Sequence, residues 1–117
     1  MDRRKLAGRS GEAEAAKYLR SRGYELLGMN YACRGGEIDI IAARDGFVAF
    51  VEVKLRADAS FAEAREFVTP AKQRRIKTAA LTWLSTREGA LQPRFDEIEI
   101  YTRGGELRLN HLENAFE

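Results

Sequence analysis

Apolar residues along this chain change spacing from segment to segment. From about Arg4 to Arg22 they recur three and four apart, with Ala15, Ala16 and Leu19 on one stripe and Gly23 as a stop, which predicts a helix. Tyr24 to Leu27 reads as a short strand, and Tyr31 to Gly36, with two glycines, as a loop. Glu37–Ala42 and Phe47–Lys54 are rich in β-branched and aromatic residues and read as two strands. Between them, Asp45-Gly46 is a strong hairpin turn signal. Thr69-Pro70 is a capping residue followed by proline at the first helical position. It starts a helix to about Thr86, with Ile76, Ala79, Ala80, Trp83 and Leu84 as its apolar stripe. Phe95 to Tyr101 is a strand that Gly104-Gly105 turns into Leu107 to Leu112. Leu55 to Val68 reads two ways: its Ala and Glu favour helix, yet it can equally be a loop or a flap over a site. The order α-β-β-β-α-β-β predicts an α/β fold, a central mixed sheet flanked by helices.

A turn centred on Asp45-Gly46 sets Asp39 opposite Glu52 and Glu37 opposite Lys54. A three-residue or bulged loop would shift that pairing by one. Directly opposed strand residues have Cβ atoms about 4.5–5.5 Å apart, and like charges there destabilise the sheet. A divalent cation held by both carboxylates is the simplest way to offset the repulsion. Alternation puts Ile38 and Ile40 on one face with Val51 and Val53, a core face. The other face carries Glu37, Asp39 and Ile41 opposite Phe50, Glu52 and Lys54. It too is partly apolar, so a second helix should cover it, leaving the charged end as a cleft at the edge of the sheet.

The 117 residues suffice for one domain, and no linker, repeat or low-complexity stretch divides them. Hydrophobic content of 44% and charged content of 32% describe an ordinary globular chain. No apolar run approaches the roughly 20 residues of a membrane span. The basic start, Met1 to Lys5, leads into no apolar stretch, so no signal peptide is expected. The single cysteine, Cys33, fits a cytoplasmic location. A net charge of +2 is a poor argument for nucleic acid by itself. Its distribution says more: Arg3, Arg4, Lys5 and Arg9 cluster at the start, and Lys72, Arg74, Arg75 and Lys77 at the head of the second helix. A solvated surface is the plain alternative for either cluster.

Glu12 is a third acid of interest. It shares the stripe of Ala15, Ala16 and Leu19, where a buried carboxylate needs partners. It either lies at the rim of the stripe or points at the sheet toward Asp39. Glu52 and Lys54, two apart on a strand, share a face. A lysine there can hold a water against a metal-bound phosphate or stabilise developing negative charge. A salt bridge from Lys54 to Glu37 is the structural alternative. It leaves Asp39 against Glu52 without a reason.

These groups suit metal-assisted phosphodiester hydrolysis. Hard oxygen ligands select Mg²⁺ or Mn²⁺, which polarise a phosphate and lower the pKa of a bound water. Asp39 and Glu52 would ligate directly, the backbone carbonyl of Val53 is a candidate third ligand, and Glu12 could act through water. Gln73, Lys72 and Arg56 could reach a phosphate, with a helix-end hydrogen bond or a surface salt bridge as the alternatives. Arg74 and Arg75 join them as candidate nucleic-acid contacts. Asp96, on the face of Ile98 and Ile100, reads as structural. His111 has no patterned partner, and Trp83 reads as packing.

Several segments together resemble the YraN family of bacterial proteins. They are Gly11-Glu12-x-x-Ala15 with Tyr18-Leu19, Gly23-Tyr24, Asn30, Gly36-Glu37-Ile38-Asp39-Ile40-Ile41, Phe50-Val51-Glu52-Val53-Lys54 and Arg56. Lys72-Gln73-x-x-Ile76, Arg94-Phe95-Asp96 and Asn114-Ala115-Phe116 extend the match over nearly the whole chain. The resemblance implies a restriction-endonuclease-like fold of the PD-(D/E)xK type, related to Holliday-junction resolvases. In that superfamily the residues matching Asp39, Glu52 and Lys54 are the catalytic core, and a helical glutamate like Glu12 often joins them. Ile38 stands where the name-giving proline would precede Asp39.

Three functions compete. The first is a Mg²⁺-dependent endonuclease on DNA, including branched or structured DNA, where a two-fold symmetric junction would favour a homodimer. The second is a nucleic-acid-binding module without cleavage. The third is an interaction domain whose acids are merely paired to arginines. DNA is expected ahead of RNA, and no membrane partner is expected.

Overall fold

The structure, a computed structural model, describes residues 3–57, 69–103 and 106–117. Side chains at 3–10, 56, 57, 102 and 103 lie outside that description, as do residues 58–68, most of the segment that reads as helix or loop, and Gly104-Gly105, which the sequence reads as a turn. The elements are α1 (Arg3–Ser21), β1 (Glu25–Cys33), β2 (Gly36–Arg44), β3 (Phe47–Ala57), α2 (Pro70–Ser85), β4 (Gln92–Arg103) and β5 (Glu106–Phe116). Their order is the predicted α-β-β-β-α-β-β. The five strands form one mixed sheet in chain order, antiparallel throughout except for the parallel β3–β4 pair, which α2 connects.

Local chemistry sets the joints. Asp45 (φ 51°) and Gly46 (φ 82°) both occupy positive φ, the signature of a type I′ hairpin turn. The predicted register follows from it: Arg44 pairs Phe47, Ala42 pairs Ala49 and Ile40 pairs Val51. α1 ends in a Schellman motif, with the Tyr24 amide donating to Leu19 O (3.0 Å) and the Gly23 amide to Arg20 O (3.0 Å). The Thr69 hydroxyl accepts from the Lys72 amide (3.2 Å) and caps α2, with Pro70 behind it.

β1 is longer than its sequence reads. It runs to Cys33 and turns through Arg34-Gly35 into β2, so the segment taken for a loop is half of a hairpin. The strand absorbs a register shift between Leu26 and Gly28, which disguises its alternation. β5 likewise extends to Phe116.

The sheet is covered on both faces, as the mixed hairpin implied. Ala15, Ala16 and Leu19 of α1 pack on Ile40, Ala42, Ala49, Val51, Ile98 and Ile100. Ile76, Ala79, Ala80 and Trp83 of α2 pack on Ile41, Val48 and Phe50. Trp83 meets Phe50 edge to face at 5.8 Å, a packing role. One expectation is corrected: Ile38 belongs with the α2 cluster, not with Ile40. β2 stays paired with β1 here, but the ladder passes from Met29–Ile40 to Tyr31–Ile38 across Asn30, whose positive φ (53°) interrupts the regular alternation.

β2 also starts directly beneath α2. A Cβ on Gly36 would lie 2.0 Å from Arg75 O, so only glycine lets the two backbones approach this closely. That approach holds the first turns of α2 over the end of the sheet where the hairpin acids stand.

Candidate active site

The site begins where the hairpin ladder stops. One residue past the Ile40–Val51 pair, Asp39 Oδ2 accepts a hydrogen bond from the Val53 amide at 2.8 Å. A side chain thus takes a bond that the main chain of β2 would otherwise make, and β2 and β3 part around it. A strand residue directs its N–H and C=O to the same side, so the Val53 carbonyl faces the same opening.

Glu52 stands beside Asp39, buried to 6% exposure. Burial, reinforced by the Glu52 charge and a hydrogen bond between the two carboxyl groups, pushes the Asp39 carboxyl up to about 7, against the pull of the Val53 amide. Near neutral pH Asp39 therefore still holds its proton in part. The like-charge opposition read from the hairpin is real. Here it is relieved by that proton and by Lys72, whose ammonium forms an ion pair with Glu52 Oε1. Burial pulls the Lys72 pKa down, but the hydrogen bond to Glu52 and the charges of Glu52, Asp39 and Glu37 outweigh it, so Lys72 is held above its ordinary value. A cleft of about 370 Å³ opens here, lined by Glu37, Glu52, Thr69, Lys72, Arg75 and Ile76, together with Ala71.

The donor set fits a hard divalent cation: two carboxylates in hydrogen-bond contact and a carbonyl turned to the same gap. Among the described residues, no group of three or more His, Cys, Asp and Glu side chains is arranged to hold a metal. Asp39 and Glu52 are the acids whose contact is seen. Glu12 sits half-buried on the α1 stripe, whereas Ile41 and Phe50, on the Glu52 side of the hairpin, pack under α2. Lys54 has an acidic neighbour on β4. Its Nζ lies 3.9 Å from Glu97 Oε1.

The remaining candidates divide. Arg75 lines the cleft, and Arg74 lies exposed one position before it. Gln73 is half-buried on the same helix turn. Arg56 occupies a β3 position paired with Tyr101, and its side chain lies outside the described residues, as do those of Arg3, Arg4, Lys5 and Arg9.

Two features escaped the sequence reading. Glu97 and Glu99 are buried (4% and 3% exposed) and pair in register with Glu52 and Lys54. Their alternation with Ile98 and Ile100 looks like a solvent face, and only coverage of both faces of the sheet identifies it otherwise. His111, which had no patterned partner, lies 2.7 Å from Asp96 Oδ2 and 3.2 Å from the Tyr18 hydroxyl. Arg94 donates to both Asp96 oxygens at 2.8 Å and to the Tyr24 hydroxyl at 2.5 Å, and the Asn114 amide donates to Asp96 Oδ1. This network joins α1, β4 and β5 on the α1 face, which agrees with the structural reading of Asp96.

Residues 11–100 match the model of the uncharacterised protein family UPF0102. A UPF0102 protein of Pelobacter propionicus is 46% identical over 114 residues, covering 94% of this chain and 81% of that protein. One from Geobacter sulfurreducens is 45% identical over 116 residues, with 97% and 90% covered. One from Myxococcus xanthus is 36% identical over 115 residues, with 97% and 91% covered. No helix among the described residues is long and apolar enough to cross a membrane.

Proposed function

This chain belongs to the UPF0102 family, and from the geometry of its cleft we propose that it is a divalent-cation-dependent endonuclease that hydrolyses phosphodiester bonds in nucleic acid, DNA ahead of RNA. The observation that carries the reading is the Asp39–Glu52 pair, two carboxylates forced together at the open end of a hairpin with Asp39 pushed up to about 7. A carboxyl perturbed by burial beside a second acid in a cleft is a mark of functional sites, because holding two acids together there costs the fold at neutral pH.

Asp39 and Glu52, with the Val53 carbonyl, would hold Mg²⁺ or Mn²⁺. When bound, such an ion supplies Lewis-acid polarisation of the phosphate and a more acidic water. Asp39 is oriented for this by the Val53 amide. Lys54, on the face of Glu52, would stabilise charge developing on the phosphate. Arg75 on the cleft wall and exposed Arg74 beside it would bind the phosphates on either side. Two copies would suit a two-fold symmetric junction.

A binding module without cleavage is the second reading. The observation in its favour is Lys54, whose ammonium lies with Glu97. A Mn²⁺-supplemented cleavage panel separates the two: single-stranded, duplex, flap and four-way-junction DNA, with structured RNA. The nuclease reading expects products from wild type on at least one substrate and none from Asp39→Asn or Lys54→Ala. Salt-sensitive binding without products, unchanged in Asp39→Asn, would support the binding module.

A further inference from the structure

Lys72 makes its ion pair directly on Glu52, one of the two hairpin acids. The two sides of that pair are built very differently. The Glu52 side chain is 8% exposed and stands on a central strand, while the Lys72 side chain is 50% exposed and stands on the first turn of α2. Asp39 is fixed by the Val53 amide. The acids are therefore rigid and the ammonium is the member free to leave. The charges of Glu52, Asp39 and Glu37 all act on Lys72, so it sits at the negative pole of the cleft. Thr69 and Pro70 fix the helix turn that carries it, and the Gly36–Arg75 approach fixes that turn over the sheet.

We propose that Lys72 is a cation-exchange residue: its ammonium and a divalent cation compete for the Asp39–Glu52 carboxylates, and the incoming ion releases Lys72 toward the phosphate side of the cleft beside Arg75. This rests on the reading of the cleft as a cation site. The exchange keeps the acids neutralised at every stage, so the fold does not carry two uncompensated buried carboxylates between turnovers. It also delivers a second cationic group to the cleft wall only when the metal is in place. Lys54 differs from it in setting: its side chain is 14% exposed, against 50% for Lys72, and lies 3.9 Å from Glu97 Oε1 on β4.

The test is calorimetric titration of Mn²⁺ into the intact protein without nucleic acid. Lys72→Met removes the competitor and should bind Mn²⁺ about two- to fivefold tighter than wild type, the range expected for a half-exposed ion pair. Lys72→Arg keeps the charge and should stay near wild type. Melting curves give a second readout, with Mn²⁺ raising the midpoint of Lys72→Met more than that of wild type. If wild type and Lys72→Met bind equally while Asp39→Asn abolishes binding, the cation site stands and the exchange is overturned. If Mn²⁺ binds to neither wild type nor Lys72→Met, the cation reading itself fails and the exchange falls with it.

Discussion

At the scale of single residues, the chemistry of the site is concentrated in Asp39. Its carboxyl is pushed up to about 7, first by burial and then by Glu52, from an ordinary value of 3.8. A raised acid binds its proton more tightly in the folded chain than in the unfolded one. Its contribution to stability is therefore complete below pH 3.8 and is lost as pH rises through about 7. In the absence of divalent cations, the melting temperature should fall between pH 5 and pH 8. Asp39→Asn should flatten that fall while keeping the Val53 hydrogen bond through its amide oxygen. Differential scanning calorimetry across pH checks both, and an unchanged slope in the variant would contradict this account of the pair. Asp96 has the opposite sign. Burial alone would raise it, but His111, Arg94 and the Asn114 amide hold it below the usual carboxylate range. Its stability is present above pH 3.8 and is lost as pH falls through the depressed value. Asp96→Asn should cost about 3 kcal/mol, since it leaves Arg94 short of its counter-charge, and should erase part of the acid transition in a denaturation series.

At the scale of elements, positions with local chemical signals were legible in the sequence. Asp45-Gly46 specified its turn and Gly23 stopped α1, because positive φ is a property of a few residue types. Thr69-Pro70 fixed the start of α2. Features that depend on distant packing were not legible. β1 hid behind its register shift, Ile38 changed clusters where the β1–β2 ladder is interrupted at Asn30, and Glu97 and Glu99 mimicked a solvent face. Asp39 and Glu52 were found because one hairpin holds both. Lys72 was placed among residues that could reach a phosphate, but its bond to Glu52 arises from how α2 lies over Gly36, a contact far apart in sequence. Two substitutions test this element-level construction. Gly36→Ala should cost about 2–3 kcal/mol by forcing the two backbones apart, and should reduce cleavage because Lys72 and Arg75 move with α2. Thr69→Ala should cost about 1 kcal/mol through the lost cap. Chemical denaturation reads both, and a silent Gly36→Ala would contradict the close approach.

At the scale of the molecule, one sheet with a helix on each face divides the labour. The α1 face carries an apolar core and a closed polar network from Tyr18 through His111 and Asp96 to Arg94. The α2 face carries a second core, and at its open end the acids and the basic helix start. The closed polar network and the candidate cation site thus sit on opposite sides of the same strands. Asp96→Asn should accordingly lower the melting temperature with little effect on cleavage measured well below it, whereas Glu52→Gln should do the reverse. The most direct test is Mn²⁺-dependent cleavage of the best substrate by wild type and Glu52→Gln, prepared in parallel and matched in melting temperature. The account predicts a loss of about 10²-fold or more in the variant. Equal product from the two proteins would contradict it.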